Sequence, residues 1–456
     1  MTLEEQLVRH VCDRSYSDLP AAAIEAARRE VLWALGTSFA GASAPGSDCI
    51  LAFARQMGGA GEATVIGYGD RLSPLAAGLA NGCFSKALEY EDKYWIDYGC
   101  CYAIGTAVVP AGFATAEQLG GVDGRAFLAA VALATDVAAR MIKAVPKTIY
   151  TGWNSTYLFS AFGAVIAAGK LMGLTREEMH NALGLAYAQT TGSRQNMIDG
   201  ALGNRIQMGF GVRNGLSAAQ LAKLGATGAK GFLVGKFGLY SLFLKDTEFH
   251  VNDLTAGLGE NYLGNLLGYK AYPCCAATHA ALDAIASLIA QGPLDAEAID
   301  AVNIYGTAHM TNTVEPIERR QVPKTQPDAQ FSMAWSAACL LADGRLGLSH
   351  YTEAALGKPR YANLARKVKT DMDPNRTAVH VEIRMKDGCA LRSRPLGAPK
   401  GHPENPLSLA EIVDAYRDCM KNGPKKLPVA QTERAKDLVL AMQDQRDATE
   451  AIRLLA

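Results

Sequence analysis

Over roughly its first 300 residues, the chain offers no sustained alternation of apolar and polar residues, and this constrains the fold more than any single motif does. The periodicity there is helical. Residues 3–13 and 19–40 read as helices, the second capped by Asp18, with Pro20 in its first turn. Its apolar stripe is Ile24, Ala27, Val31, Ala34 and Leu35. After a break at 44–47 come a short helix over 49–57 and a Gly-rich connection over 58–71, with a short extended piece at 63–67. Helices are then predicted over 74–89, 103–118, 124–142, 157–172, 176–188 and 213–223. The pattern changes near residue 300. Residues 301–308 and 378–385 alternate as strands do, Lys386-Asp387-Gly388 reads as a hairpin turn, and 390–394 returns. Helices are expected between these strands at 329–342 and 351–356. They resume after Pro406, with Ser408 capping 409–421 and a last helix over 429–442. The reading is therefore mainly α, a helical protein carrying an inserted α+β unit over about 268–400.

Composition narrows the function classes. With 45 Lys+Arg against 45 Asp+Glu, nothing points to nucleic acid or an anionic membrane surface. Aromatic residues are only 7%, beside 45 glycines, so the helices are expected to pack closely through small side chains. Ten cysteines form no Cys-x-x-Cys pair and no zinc-finger spacing, and read as free thiols in a reducing compartment. The acidic start, Met1 to Glu5, does not suit a signal peptide, and no apolar run is long enough to span a bilayer. A cytoplasmic protein is expected.

Three stretches concentrate chemistry. The first, 81–110, sets Glu89, Glu91, Asp92 and Lys93 between two apolar runs, with Tyr94, Trp95, Asp97 and Tyr98 behind them. Charges in such a place cost free energy unless paired or used. On a helix, Glu89 and Lys93 would share a face. The alternative is a solvated helix end. The second, 270–283, holds Lys270, Cys274, Cys275 and His279 at a helix start near Thr278. There an imidazole can serve as acid or base, and a thiol's pKa tends to fall. Polar groups at a domain junction would look the same. The third, 200–215, brings Asn204 and Arg205 to a Gly-rich approach to a helix, and Arg suits capture of a carboxylate. It matches neither a phosphate-binding loop nor a dinucleotide fingerprint, and a plain connector would fit it equally.

Taken in order, these stretches resemble the MmgE/PrpD family, which includes 2-methylcitrate dehydratase, cis-aconitate decarboxylase and iminodisuccinate epimerase. The matching segments are 81–92, 162–174, L-T-A-G-L-G at 254–259, K-x-Y-P-x-C-x-x-T-H-A-x-x-D at 270–283, P-K-T-x-x-x-A-x-F-S at 323–332, D-G-R-x-G-L at 343–348 and P-K-G-x-P-E-N-P-L-S at 399–408. The resemblance implies a large all-helical domain from both ends of the chain (1–267 and 404–456) with an α+β lid inserted over 268–403. It also implies an active site in the cleft between them, a homodimer, a small carboxylic acid substrate, and no metal or organic cofactor.

The departures shape the expected chemistry. Where the family has a catalytic Asp, this chain has Glu89; where it has Thr, Lys93. A family His-Pro falls on Ala103-Ile104, a second histidine on Asn154, and a lysine on Asn204, while His279 is kept. Dehydration needs a general acid at the leaving group. With two imidazoles replaced, proton exchange beside a carboxylate becomes the favoured expectation, as in an epimerase or isomerase. A dehydratase or decarboxylase is the alternative, and a non-catalytic ligand binder a further one. The expected catalytic groups are Glu89, Lys93, Tyr94 and His279, with Asn154, Asn204, Arg205, Lys270 and Cys275 binding substrate.

Overall fold

The computed structural model describes the chain except residues 96–100, 146–151, 200 and 245–247. Asp97, Tyr98 and Cys100 of the first charged stretch therefore lie outside the described residues. The chain is mainly helical and divides into two compact units. One comprises Met1–Ile96, Tyr102–Leu267 and Ser408–Ala456, and the main body of the other is Gly268–Leu407. No helix among the described residues is long and apolar enough to cross a membrane.

The first unit is built of helices that meet through small residues. Ser155–Leu171 packs against Gly203–Lys223, and glycine makes this approach feasible. A Cβ on Gly211 would lie 1.9 Å from Ser160 Oγ, and one on Gly215 2.5 Å from the Cβ of Ala164. Gly209 does the same toward Pro74–Ser85, where a Cβ would come within 2.4 Å of the Leu79 carbonyl oxygen. The Gly-rich stretch 200–215 is thus mostly helix rather than an approach to one. Gly209, Gly211 and Gly215 are contact points, and the helix begins at Gly203 instead of 213.

Other boundaries also move. The helix expected from 19 spans Ala21–Gly41, with Pro20 and not Asp18 at its N-cap. Asp18 instead closes a preceding turn, accepting from the Ser15 N–H at 2.7 Å and from its hydroxyl. The helix expected over 74–89 stops at Ser85. Ser85 Oγ donates to the carbonyls of Gly82 and Thr106, Lys86 N–H bonds the Cys83 carbonyl, and Glu89 takes a left-handed φ of 50°. Asp92–Trp95 is then a strand, so Glu89 and Lys93 do not share a helix face.

In the second unit, a four-stranded sheet packs against helices including His279–Ile289 and Met333–Asp343. Ile299–Thr307 is central. It pairs antiparallel with His380–Met385, whose hairpin through Gly388 (φ 90°) leads to Ala390–Arg392. On its other side lies Val368–Asp373, parallel to it. The sequence reading missed this strand because VKTDMD at a sheet edge is polar on its open side. Buried Val302, Ile304, Val368, Val381 and Ile383 supply the sheet's share of the core.

Candidate active site

In the first unit, charge gathers where the Pro74–Ser85 helix ends. The Lys86 ammonium lies 2.5 Å from Glu89 and 3.2 Å from Glu91, and the Lys93 ammonium lies 2.6 Å from the same Glu91 oxygen. Two cations thus share one carboxylate whose residue is 0% exposed. Burial draws the Lys86 pKa down, but Glu89 and Glu91 outweigh it and leave the ammonium above the usual lysine value. Opposite charge at this range is what makes burial of these groups tolerable.

Asp92, also 0% exposed, does a different job. Its carboxylate accepts the backbone N–H groups of Ile104 (2.8 Å), Gly105 (3.0 Å) and Thr106 (3.3 Å), at the start of the helix Gly105–Gln118. Burial nevertheless pushes its pKa up. Glu30 lies under the same turn, and a Cβ on Gly105 would fall 1.7 Å from its Oε1. Ala103 and Ile104 border a cavity of about 10 Å³, room for roughly one water.

Two more side chains join this cluster electrostatically. Tyr157, in the first turn of Ser155–Leu171, is buried, and burial pushes its phenol well above its usual pKa. Glu89 and Glu91 push it further, while Lys93 and Arg205 pull it back. Burial lowers Arg205, whose field includes Glu89, Tyr157 and Cys83. Arg205 also donates to the Pro45 carbonyl at 3.1 Å. Beside it, Asn204 Oδ1 is buried with no hydrogen-bond partner among the described residues. Asn154 opens the Tyr157 helix as N-cap and makes no side-chain capping bond. The structure therefore brings Glu89, Lys93 and Arg205 into one electrostatic neighbourhood, with Asn204 and Asn154 adjoining along the chain.

It adds Lys86, Glu91 and Tyr157, which the sequence reading had not proposed as site residues. Tyr157 could have been suspected, since it stands three residues after Asn154 on a helix. Tyr94 goes elsewhere. Successive strand residues point to opposite faces, and Tyr94's field is that of Arg140, Asp136 and Asp253, with burial chiefly pushing its phenol up to about 12.

The second unit holds Lys270, Cys275 and His279. Lys270 is 1% exposed and His279 0%, while Cys275 is half-buried. Thr278 is the N-cap residue of His279–Ile289, as the sequence suggested. Cys275 N–H bonds the Gln330 carbonyl at 2.8 Å. The thiol of neighbouring Cys274 is not activated. Burial pushes it up to about 11, against the fall expected at a helix start.

Several of the recurring motifs prove architectural. Thr325 and Ser332 cap successive helices by accepting from Asp328 N–H and Trp335 N–H. Asp343 accepts from Tyr361 (2.7 Å) and pairs with His350 (3.1 Å) and Arg360. Among the described residues no group of three or more His, Cys, Asp or Glu is arranged to hold a metal ion.

Comparison with known proteins agrees along the length of the chain. The MmgE/PrpD N-terminal domain matches residues 5–252 and the MmgE/PrpD C-terminal domain residues 272–444. A cis-aconitate decarboxylase of Aspergillus terreus is 29% identical, covering 96% of this chain and 92% of the relative. A cis-aconitate decarboxylase-like protein, oryM, of Aspergillus oryzae is 25% identical over 99% and 96%. The Homo sapiens cis-aconitate decarboxylase is 23% identical over 98% and 92%.

Proposed function

The chain belongs to the MmgE/PrpD family, and from that premise we propose that it is a cofactor-independent enzyme forming a carbanion beside a carboxylate of a small di- or tricarboxylic acid. The observation that carries this reading is the buried Lys93–Glu91 contact at 2.6 Å, with Lys86 on the same carboxylate. A cation held charged and fixed in surroundings poor in water stabilises an anion far better than one in bulk solvent. Arg205 adds a planar donor suited to a carboxylate. Glu91 pairs directly with Lys93 and is assigned the role of tuning it.

Loss of carbon dioxide is the leading outcome, supported by relatives named as cis-aconitate decarboxylases that span almost the whole chain. In that step the C–C bond to one carboxylate breaks and carbon dioxide leaves. The electron pair stays on carbon, conjugated with the remaining acid framework, and one proton is taken up to form C–H. His279 is the assigned proton donor. Lys93, Lys270 and Arg205 hold the carboxylates that remain.

Epimerisation is the second reading. It is favoured by Ala103 and Asn154, which stand where the family resemblance places imidazoles. It requires only that a proton leave one face and return to the other. Dehydration is least favoured, because it needs an acid at the leaving hydroxyl.

Proton NMR in deuterium oxide with cis-aconitate, citrate, 2-methylcitrate and iminodisuccinate separates these outcomes. Carbon dioxide release with one deuterium bound to carbon is expected. Exchange without net loss would favour the epimerase. Full activity in both Lys93→Ala and His279→Ala would refute the assignment of roles. A homodimer is part of the same proposal, and light scattering at twice the 48.4 kDa chain mass would support it.

A further inference from the structure

We propose that Tyr272 is a positioning residue for His279, anchored for that purpose by Asp283. The inference rests on the reading of His279 as the proton-transferring group. His279 and Asp283 are four residues apart on the helix His279–Ile289 and so share a face. Tyr272 spans them. Its hydroxyl donates to Asp283 Oδ1 at 2.9 Å, and its ring stands edge-to-face on the imidazole, with centroids 5.3 Å apart and planes at 83°.

The second oxygen of Asp283 is committed too. It accepts the Lys400 backbone N–H at 2.5 Å, from the loop that leads out of the unit. That loop is itself held in one conformation. Gly401 has φ 90°, its N–H bonds the Asn405 carbonyl, and a Cβ there would lie 1.8 Å from the Tyr269 carbonyl oxygen. Each part fixes the next: the loop fixes the carboxylate, the carboxylate fixes the phenol, and the ring fixes the plane of the imidazole. Burial and Asp283 push the Tyr272 phenol far above its usual pKa, so it stays a donor at all working pH values. An imidazole that must meet a carbon at one angle gains from a wall that limits its rotation.

The test compares Tyr272→Phe, which keeps the ring but loses the hydroxyl, with Tyr272→Leu, which loses the ring. Both are read by kcat, KM, the pH dependence of kcat/KM, and the NMR titration of the His279 ring, assigned with His279→Gln. About a 3- to 10-fold loss of kcat is expected for Tyr272→Phe and about 30- to 100-fold for Tyr272→Leu, with KM within about two-fold. The His279 ring signal and its midpoint should move in Tyr272→Leu. Wild-type kcat and an unmoved His279 titration in both variants, with His279→Gln inactive, would overturn the proposal. If Tyr272→Leu does not fold, the same result in Tyr272→Phe alone overturns it. Wild-type turnover in His279→Gln would instead remove the role of His279 and this inference with it, a pattern distinct from the first.

Discussion

Two clusters of buried charge lie in the same helical unit, and they are bonded in different ways. In one, Asp136 and Arg140 are both 0% exposed and joined at 3.1 Å. The Arg140 guanidinium also donates to the carbonyls of Ala256 (2.8 Å), Gly257 (3.3 Å) and Asn261 (2.5 Å). Asp136 receives the Leu263 N–H and pairs with His10 at 3.0 Å. Arg14 donates to His10 Nδ1, so the ring proton sits on Nε2 and faces Asp136. This cluster clasps the 254–263 segment, including the L-T-A-G-L-G motif, to the helix Gly124–Lys143. The other cluster, Lys86, Glu89, Glu91 and Lys93, binds charge mainly to charge, with Arg205 and Tyr157 near it. Where charged side chains are spent on backbone carbonyls they hold the chain. Where they face one another, as at Lys86, Glu89, Glu91 and Lys93, the proposed function puts them to use on a ligand.

That contrast can be broken experimentally. Arg140→Ala should be the most damaging change, costing about 3–5 kcal/mol by leaving Asp136 buried without its main cation, and it should be seen as a large drop in melting temperature. Any loss of kcat should follow the unfolded fraction. A well-folded, inactive Arg140→Ala would show that the clasp also serves catalysis. Lys93→Met should do the reverse. A kcat loss of about 10- to 100-fold, worth about 1.4–2.7 kcal/mol, is expected with a small change in melting, because Lys86 still faces Glu91. Unchanged turnover would make that cluster structural as well.

Gly105→Ala should cost about 1–3 kcal/mol, since its Cβ would displace Glu30 from beneath the helix start. Urea unfolding measures this, and a neutral result would mean that Glu30 moves freely. The smallest effects concern thiols. Iodoacetamide at neutral pH should label exposed Cys49 and Cys389 and spare Cys274 and Cys83, which burial pushes up to about 11 and about 12. The sign follows for stability. Between pH 9 and about 11 the unfolded chain loses the Cys274 proton that the folded chain keeps, so this group's stabilising contribution falls as pH rises through that window. Rapid labelling of Cys274 in the folded protein would overturn its assignment as an inert core thiol.

Much of this was legible in the chain because it depends on neighbours in sequence. Ser408 caps Leu409–Lys421, and the hairpin through Gly388 joins the two strands expected around it. Each is settled by residues within a few positions. The polar edge strand Val368–Asp373 was not legible, because its partner Val302 lies far away in sequence. The early end of the helix at Ser85 was not legible either, because the Thr106 carbonyl and the N–H groups that Asp92 caps come from the next helix.

The sequence alone determined that the chain is mainly helical, that strands enter near residue 300 and again near 380, and that Glu89, Glu91 and Lys93 would bunch between apolar runs. Only the tertiary structure decided that Lys93 pairs with Glu91, that Tyr94 lies in the field of Arg140 and Asp136, and that Tyr157 lies in the field of the cluster. Helix periodicity can be read along a chain, whereas a strand that reverses side chains at every residue, anchored by a cap on a later helix, is fixed only once the distant parts have packed.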